Sequence, residues 1–199
     1  MKILTFSDLH GSAKHAAALV AASGEADLVI GAGDFCNMRQ GLDEAMALLT
    51  GITAPFVIVP GNAESYDELR AAAPATVEVL HGTATTIDGL RLFGLGGAVP
   101  ETPFGDWSWD ISEDQATGLL NTCDDTDILI FHSPPKGVVD STSAGQSVGS
   151  VAIYAAIERI QPRLALCGHI HDSWRQDGLI GTTKVHNLGP FVRWFEVDN

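Results

Sequence analysis

Five apolar runs in this chain each deliver, at or just past their end, a side chain able to bind a cation. Asp8 and His10 (SDLHG) follow the first run, Asp34 (GDF) the second and Asn62 (GNAE) the third. His132 (FHS) follows the fourth, and His169 with His171 (CGHIH) the fifth. Singly, each has a plain explanation. An aspartate after a strand is usually a turn former or helix cap, and an asparagine after glycine can take a left-handed turn. A lone histidine at a strand end is more often a satisfied, half-buried residue than a ligand. Together they are harder to dismiss, because all five strand ends would have to be polar by accident.

The donor types agree with one another chemically. Carboxylates, imidazoles and an amide, with no cysteine among them, suit Mn²⁺, Fe, Zn²⁺, Co²⁺ or Mg²⁺ rather than copper or an iron–sulfur cluster. D-x-H and H-x-H spacings put both donors on one side of an extended segment. Seven donors exceed what one ion with an open position takes, and they suit two ions sharing a bridging carboxylate. Two ions about 3.5–4 Å apart form the clamp used for in-line attack at phosphorus.

The elements that must position these donors are legible in outline. Strands are expected at 2–6, 27–33 and 55–61, separated by a helix over 13–23 capped by Ser12 and a second helix over 42–50. Unbroken apolar strands alternating with helices indicate a largely parallel sheet, and ligands gather outside the carboxyl ends of such strands. After residue 75 the pattern changes to strands at 75–81, 83–87 and 90–97 with very short connections, Asp88-Gly89 supplying a hairpin turn. This predicts an antiparallel section. A helix is expected from Ser112, where Ser112 and Gln115 have capping-box spacing. A buried strand follows at 126–133, then a helix over 150–161 with Ile153, Tyr154, Ile157 and Ile160 on one face. A strand at 162–171 runs into a loop, and two more strands close the chain. The sum is an α/β fold of two packed sheets flanked by helices.

With 199 residues, 45% of them hydrophobic, the chain is expected to form a single domain over 1–199 with a proper core. No run is long enough to span a membrane, and the N-terminus lacks the apolar core of a signal peptide, so a soluble cytoplasmic protein is expected. Cys36, Cys123 and Cys167 form no C-x-x-C pair, and buried reduced thiols are the expectation. Eleven basic against 25 acidic residues give a net charge of −14. Such a surface repels a phosphate backbone and argues against binding duplex nucleic acid.

The ordered set DLH, GD, GN, a histidine after a strand, and GHIH resembles the calcineurin-like metallophosphoesterases over residues 8–171. The resemblance implies a four-layer αββα fold of two mixed β-sheets. It implies that Asp8, His10 and His171 bind one metal, that Asn62, His132 and His169 bind a second, and that Asp34 bridges them. Two metal ions are the implied cofactors, Mn²⁺ foremost. A water or hydroxide shared by the metals would be the nucleophile, with Asp34, Asn62 and His132 at the catalytic positions. The chain departs from the family at Ala63: the usual G-N-H-[DE] reads GNAE, so the histidine that protonates the leaving group is absent. General acid catalysis is worth roughly 10²–10⁴-fold, so a slower or narrower enzyme is expected.

The leading expectation is therefore a phosphoesterase acting on a small phosphoester, diesters ahead of monoesters. Restoring histidine at position 63 should help substrates with poor leaving groups. The alternative is a non-catalytic protein-interaction scaffold, against which the retention of all seven donors speaks. A nuclease on DNA suffers from the acidic surface. Around this set, Glu64 could orient a ligand or complement a helix N-terminus, and Lys136 could meet a phosphate or stand as a loop lysine. Trp107 and Trp109 could stack on an aromatic group, pack the 103–112 insertion, or form a dimer contact. His186 is a weak candidate for a replacement acid, and His15 and His81 read as ordinary surface or core histidines.

Overall fold

A computed structural model describes residues 1–197. The first sheet contains β1 (Lys2–Phe6), β2 (Leu28–Ala32), β3 (Phe56–Val59), β4 (Val77–Val79) and the C-terminal β11 (Arg193–Glu196). Its order is β11-β1-β2-β3-β4, with β1 to β4 parallel and β11 antiparallel to β1. The second sheet contains β5 (Thr83–Ile87), β6 (Leu90–Leu95), β7 (Ile128–Phe131), β8 (Leu164–Cys167), β9 (Asp177–Ile180) and β10 (Thr183–Asn187). Its order is β5-β6-β7-β8-β10-β9, parallel except at the two edges.

Helices α1 (Ala13–Ser23), α2 (Leu42–Ala47) and α3 (Tyr66–Ala72) cover the outer face of the first sheet. Helices α4 (Glu113–Leu120) and α5 (Val151–Ile160) cover the second. The alternation of side chains along β7 shows why its residues are all apolar. Ile128 and Ile130 pack between the sheets, whereas Leu129 and Phe131 face α4 and α5. The result is the expected four-layer arrangement of helices, two mixed sheets, and helices.

Local signals are obeyed where they are strong. Ser12 caps α1 through the His15 amide, and Ser112 and Gln115 form a capping box on α4. Ile153 and Ile157 are buried under α5, with Tyr154 and Ile160 partly buried beside them.

Three expectations need correction. α2 ends at Ala47 rather than 50. β4 does not join an antiparallel section: it pairs parallel with β3, Phe56 opposite Val77, and ends the first sheet. The cause is α3, a crossover helix missed in the sequence although Ser65 and Glu68 form a capping box at its start. The antiparallel pairing expected there is confined to β5 and β6. β9 was also missed, because DGLI is short and only Ile180 in it is buried. The three cysteines are buried and unpaired. No helix among the described residues is long and apolar enough to cross a membrane.

Candidate metal centre

The carboxyl ends of β1, β2, β3, β7 and β8 bring all seven predicted donors to one place. The backbone turns sharply to do so. Asp8, His10, Asp34 and His169 have φ of 53°, 47°, 58° and 69°, a left-handed conformation uncommon for non-glycine residues. Close packing of the loops explains the glycines of the GN and GD motifs. A Cβ on Gly61 would lie 2.0 Å from Asp34 Oδ1, and one on Gly33 would lie 2.6 Å from His132 Nδ1.

The donors form two overlapping groups. Ligand atoms of Asp8, His10 and His171 lie within 4.8 Å of one another, and so do those of Asp8, Asp34 and His132. Asp34 presents an oxygen to each side: Oδ2 is 3.7 Å from His10 Nε2, and Oδ1 is 3.4 Å from His132 Nε2. Asn62 Oδ1 is 3.1 Å from His132 Nε2, and the His169 ring lies 4.9 Å from the His132 ring. Asp8 thus reaches both groups, a sharing that the sequence does not reveal.

Backbone carbonyls aim the rings. His10 Nδ1 donates to Cys36 O at 3.1 Å and His132 Nδ1 donates to Ala32 O at 2.9 Å, which directs each Nε2 into the cluster. His10 Nε2 and His171 Nε2 face each other at 3.2 Å, with Asp8 Oδ1 3.7 Å from the latter. Without a cation the ring contact is an N–H···N hydrogen bond, and the same nitrogens with the Asp8 carboxylate form one cluster of donors able to hold an ion. The residues present therefore fit a pair of divalent cations.

The donors also shift one another's protonation. Burial acts most strongly on His132 and lowers its pKa, but the Asp34 charge and hydrogen bond, with Asp8, outweigh it and raise the pKa to about 9. For Asp34, burial again opposes, yet His132, His10 and the Ala63 amide hold its carboxyl well below the usual carboxylate range. Burial and the neighbouring His132 charge push His169 down to about 3.

Several supporting residues escaped the sequence. Ser7 Oγ donates to Asp8 Oδ2 at 2.5 Å and Trp174 Nε1 donates to the same oxygen at 3.0 Å. Trp174 is three residues past the GHIH motif, on the same turn as His171, the one cue that could have found it. For Glu64 the sequence suggests orienting a ligand or complementing a helix N-terminus, and the structure shows a different role. Glu64 is fully buried, and its oxygens accept from the amides of Gly61, Asp34, Phe35 and Cys36 at 2.8–3.2 Å. It ties the GD loop to the GN loop. Burial, and then the Asp34 charge, push its carboxyl up against the pull of those amides.

The 103–112 insertion, with Thr102 just before it, also reaches the centre. Ser108 Oγ accepts from Asn62 Nδ2 at 2.9 Å and donates to Asp110 Oδ1 at 2.5 Å. Thr102 Oγ1 donates to Asp110 Oδ2 at 2.8 Å. Because Ser108 takes the amide hydrogens, Asn62 Oδ1 is the atom left facing His132.

A cavity of about 300 Å³ opens on the donors, lined by His10, Asp34, Asn62, Phe104, Trp107, Thr142, His169, Ile170, His171 and Asp172. None of these is a lysine or arginine. A larger cavity of about 530 Å³ lies between the loop after β2, α2 and α3. It contains none of the seven donors, so the smaller one is the candidate site. Lys136 lies outside it and donates to Ser147 O at 2.7 Å, the loop role. His186 also lies outside it, bound to Asp177 at 2.7 Å. Trp109 packs against His81 with ring centroids 4.9 Å apart, and His15 packs on Phe191 at 5.5 Å. Ala63 is buried and lines neither cavity, though its amide donates to Asp34 Oδ1 at 2.8 Å.

Comparison with known proteins agrees with this arrangement. A family model described as calcineurin-like phosphoesterase matches residues 1–173. The chain is 31% identical over 118 residues to the human metallophosphoesterase domain-containing protein 1, covering 56% of this chain. That match takes in 34% of the relative, so the chain spans about a third of its length. Among solved structures, TT1561 of Thermus thermophilus superposes with a TM-score of 0.74 at 18% identity, covering 94% of this chain and 88% of that one. The phosphopantetheinyl hydrolase PptH of Mycobacterium tuberculosis gives 0.60 at 14% identity, over 95% and 90% of the two chains.

Proposed function

The chain belongs to the calcineurin-like phosphoesterase family, and from that premise we propose that it is a dinuclear metal-dependent phosphodiesterase. The observation that carries this reading is the position of Asp34. Its two oxygens look toward two different histidines, His10 and His132, as a carboxylate shared by two cations would. Asp8, His10 and His171 would hold one ion and Asn62, His132 and His169 the other, with Mn²⁺ the first metal to test. When bound, the ions would supply Lewis-acid activation of water and neutralise charge on the phosphoryl oxygens.

The chain's own residues keep the donors aimed. Carbonyls fix His10 and His132, Ser108 fixes Asn62, and Glu64 holds the GD and GN loops together. Asp34, Asn62 and His132 are the proposed catalytic positions.

Two features favour a diester over a monoester. Among the described residues no lysine or arginine lines the cavity, so a dianionic monoester would find no compensation beyond the metals. Ala63 offers no proton, which favours substrates whose leaving group departs without one.

The test is turnover of bis(p-nitrophenyl) phosphate beside p-nitrophenyl phosphate by Mn²⁺-loaded protein. The diester should be the better substrate. Rapid hydrolysis of the monoester with the diester untouched would refute the preference. Less than one transition metal per chain, after purification without chelator, would favour a scaffold instead.

A further inference from the structure

Phe104 and Trp107 belong to none of the three hydrophobic cores, and Phe104 is 49% exposed. Their rings stack on each other, centroids 5.5 Å apart and planes within 7° of parallel. Both line the cavity that opens on the donors. Phe104 is exposed and Trp107 half-buried, so the pair keeps apolar surface that burial against a ligand ring would stabilise. Trp109, two residues on, shows the contrast: its ring packs against His81 and its amide donates to Asn62 O at 2.9 Å.

The loop that carries the pair is fixed rather than free. Thr102, Ser108 and Asp110 are hydrogen-bonded to one another, and Ser108 is bonded in turn to Asn62. The rings are therefore held in register with a donor of the candidate centre. A ligand whose phosphorus sits on the donors would place a substituent against them.

We propose that Phe104 and Trp107 form a stacking platform for a planar aromatic ring carried by the phosphoester substrate. This rests on the phosphodiesterase reading and deepens it. The shared chemistry is a flat π-face near the phosphorus, from either a nucleobase or an aryl leaving group. An anionic ring is disfavoured, since Asp172 lines the same cavity and, among the described residues, no lysine or arginine does.

The test is calorimetric binding to metal-loaded protein of two pairs of probes that differ in the ring. Phenylphosphonate against methylphosphonate is the aryl arm, and thymidine monophosphate against deoxyribose phosphate is the nucleobase arm. At least one ring-bearing member should bind roughly tenfold more tightly than its partner, as a stacking contact supplies. Phe104→Ala and Trp107→Ala should each cut that preference severalfold and leave methylphosphonate binding unchanged, while Trp107→Phe should retain most of it. Whichever arm shows the preference identifies the source of the ring.

Equal binding within both pairs, or a preference that survives both alanine variants, would overturn the proposal. So would a Phe104→Ala variant that turns a dimer into a monomer with ring preference intact, since the pair would then be a subunit contact. Ring preference without turnover of any diester would leave the platform standing and sink the hydrolytic reading. Turnover of diesters without ring preference would do the reverse.

Discussion

At the scale of single residues, the centre is built from side chains whose charges constrain one another. In the metal-free protein His132 is raised to about 9 by Asp34, so it carries a proton at neutral pH. A cation on the same donors must displace that proton. Apparent metal affinity should therefore rise about tenfold per pH unit between roughly pH 7 and 9, and calorimetry in buffers of different ionisation enthalpy should detect proton release. The stability of the metal-free protein should run the other way. Because the folded pKa of His132 is raised, its contribution is full below the unfolded value of about 6.5 and is lost as pH rises toward 9. Ala63 alters an expectation taken from the sequence. Its side chain is buried and does not line the donor cavity, so histidine there is first a change of core volume. Ala63→His should lower stability by about 1–3 kcal/mol in thermal denaturation, and any gain on poor leaving groups must appear over that loss. The clustering of the seven candidate donors was legible because each follows a strong apolar run. Ser7, Ser108, Asp110 and Trp174 were not, because their roles arise from loops that meet only in three dimensions.

At the scale of elements, the parallel strands do the positioning, and the loops beyond them add precision. Strand identity was readable wherever both faces are buried, as in β1, β2, β3, β7 and β8. At the edges the outcome is mixed: β5 and β11 lie where strands are expected, whereas β9 does not. β4 has the alternating burial of an edge strand, and nothing in Val77–Val79 states which sheet it joins. That choice is made by α3, whose capping box of Ser65 and Glu68 marks its start. The 103–112 insertion is the element whose role the sequence left most open. Its Ser108 hydroxyl orients the Asn62 amide, so Ser108→Ala should weaken one of two metal-binding events by roughly 10–100-fold and spare the other. A two-site metal titration reads this directly, and equal weakening of both sites would argue for general loosening of the fold.

At the scale of the whole molecule, charge and architecture restrict the substrates together. A net charge of −14 disfavours polyanions, while cations on the candidate donor cluster would reverse the sign locally. The two sheets keep that cluster at the carboxyl ends of five strands drawn from both of them, so neither sheet could form the centre alone. The central claim is that Asp34 joins two metals in a working hydrolase. Turnover of bis(p-nitrophenyl) phosphate by Mn²⁺-loaded wild type and Asp34→Asn, with folding of both checked by circular dichroism, tests it most directly. A loss of roughly 100-fold or more in the variant, with the fold retained, is the predicted result. Equal turnover by the two folded proteins would contradict it.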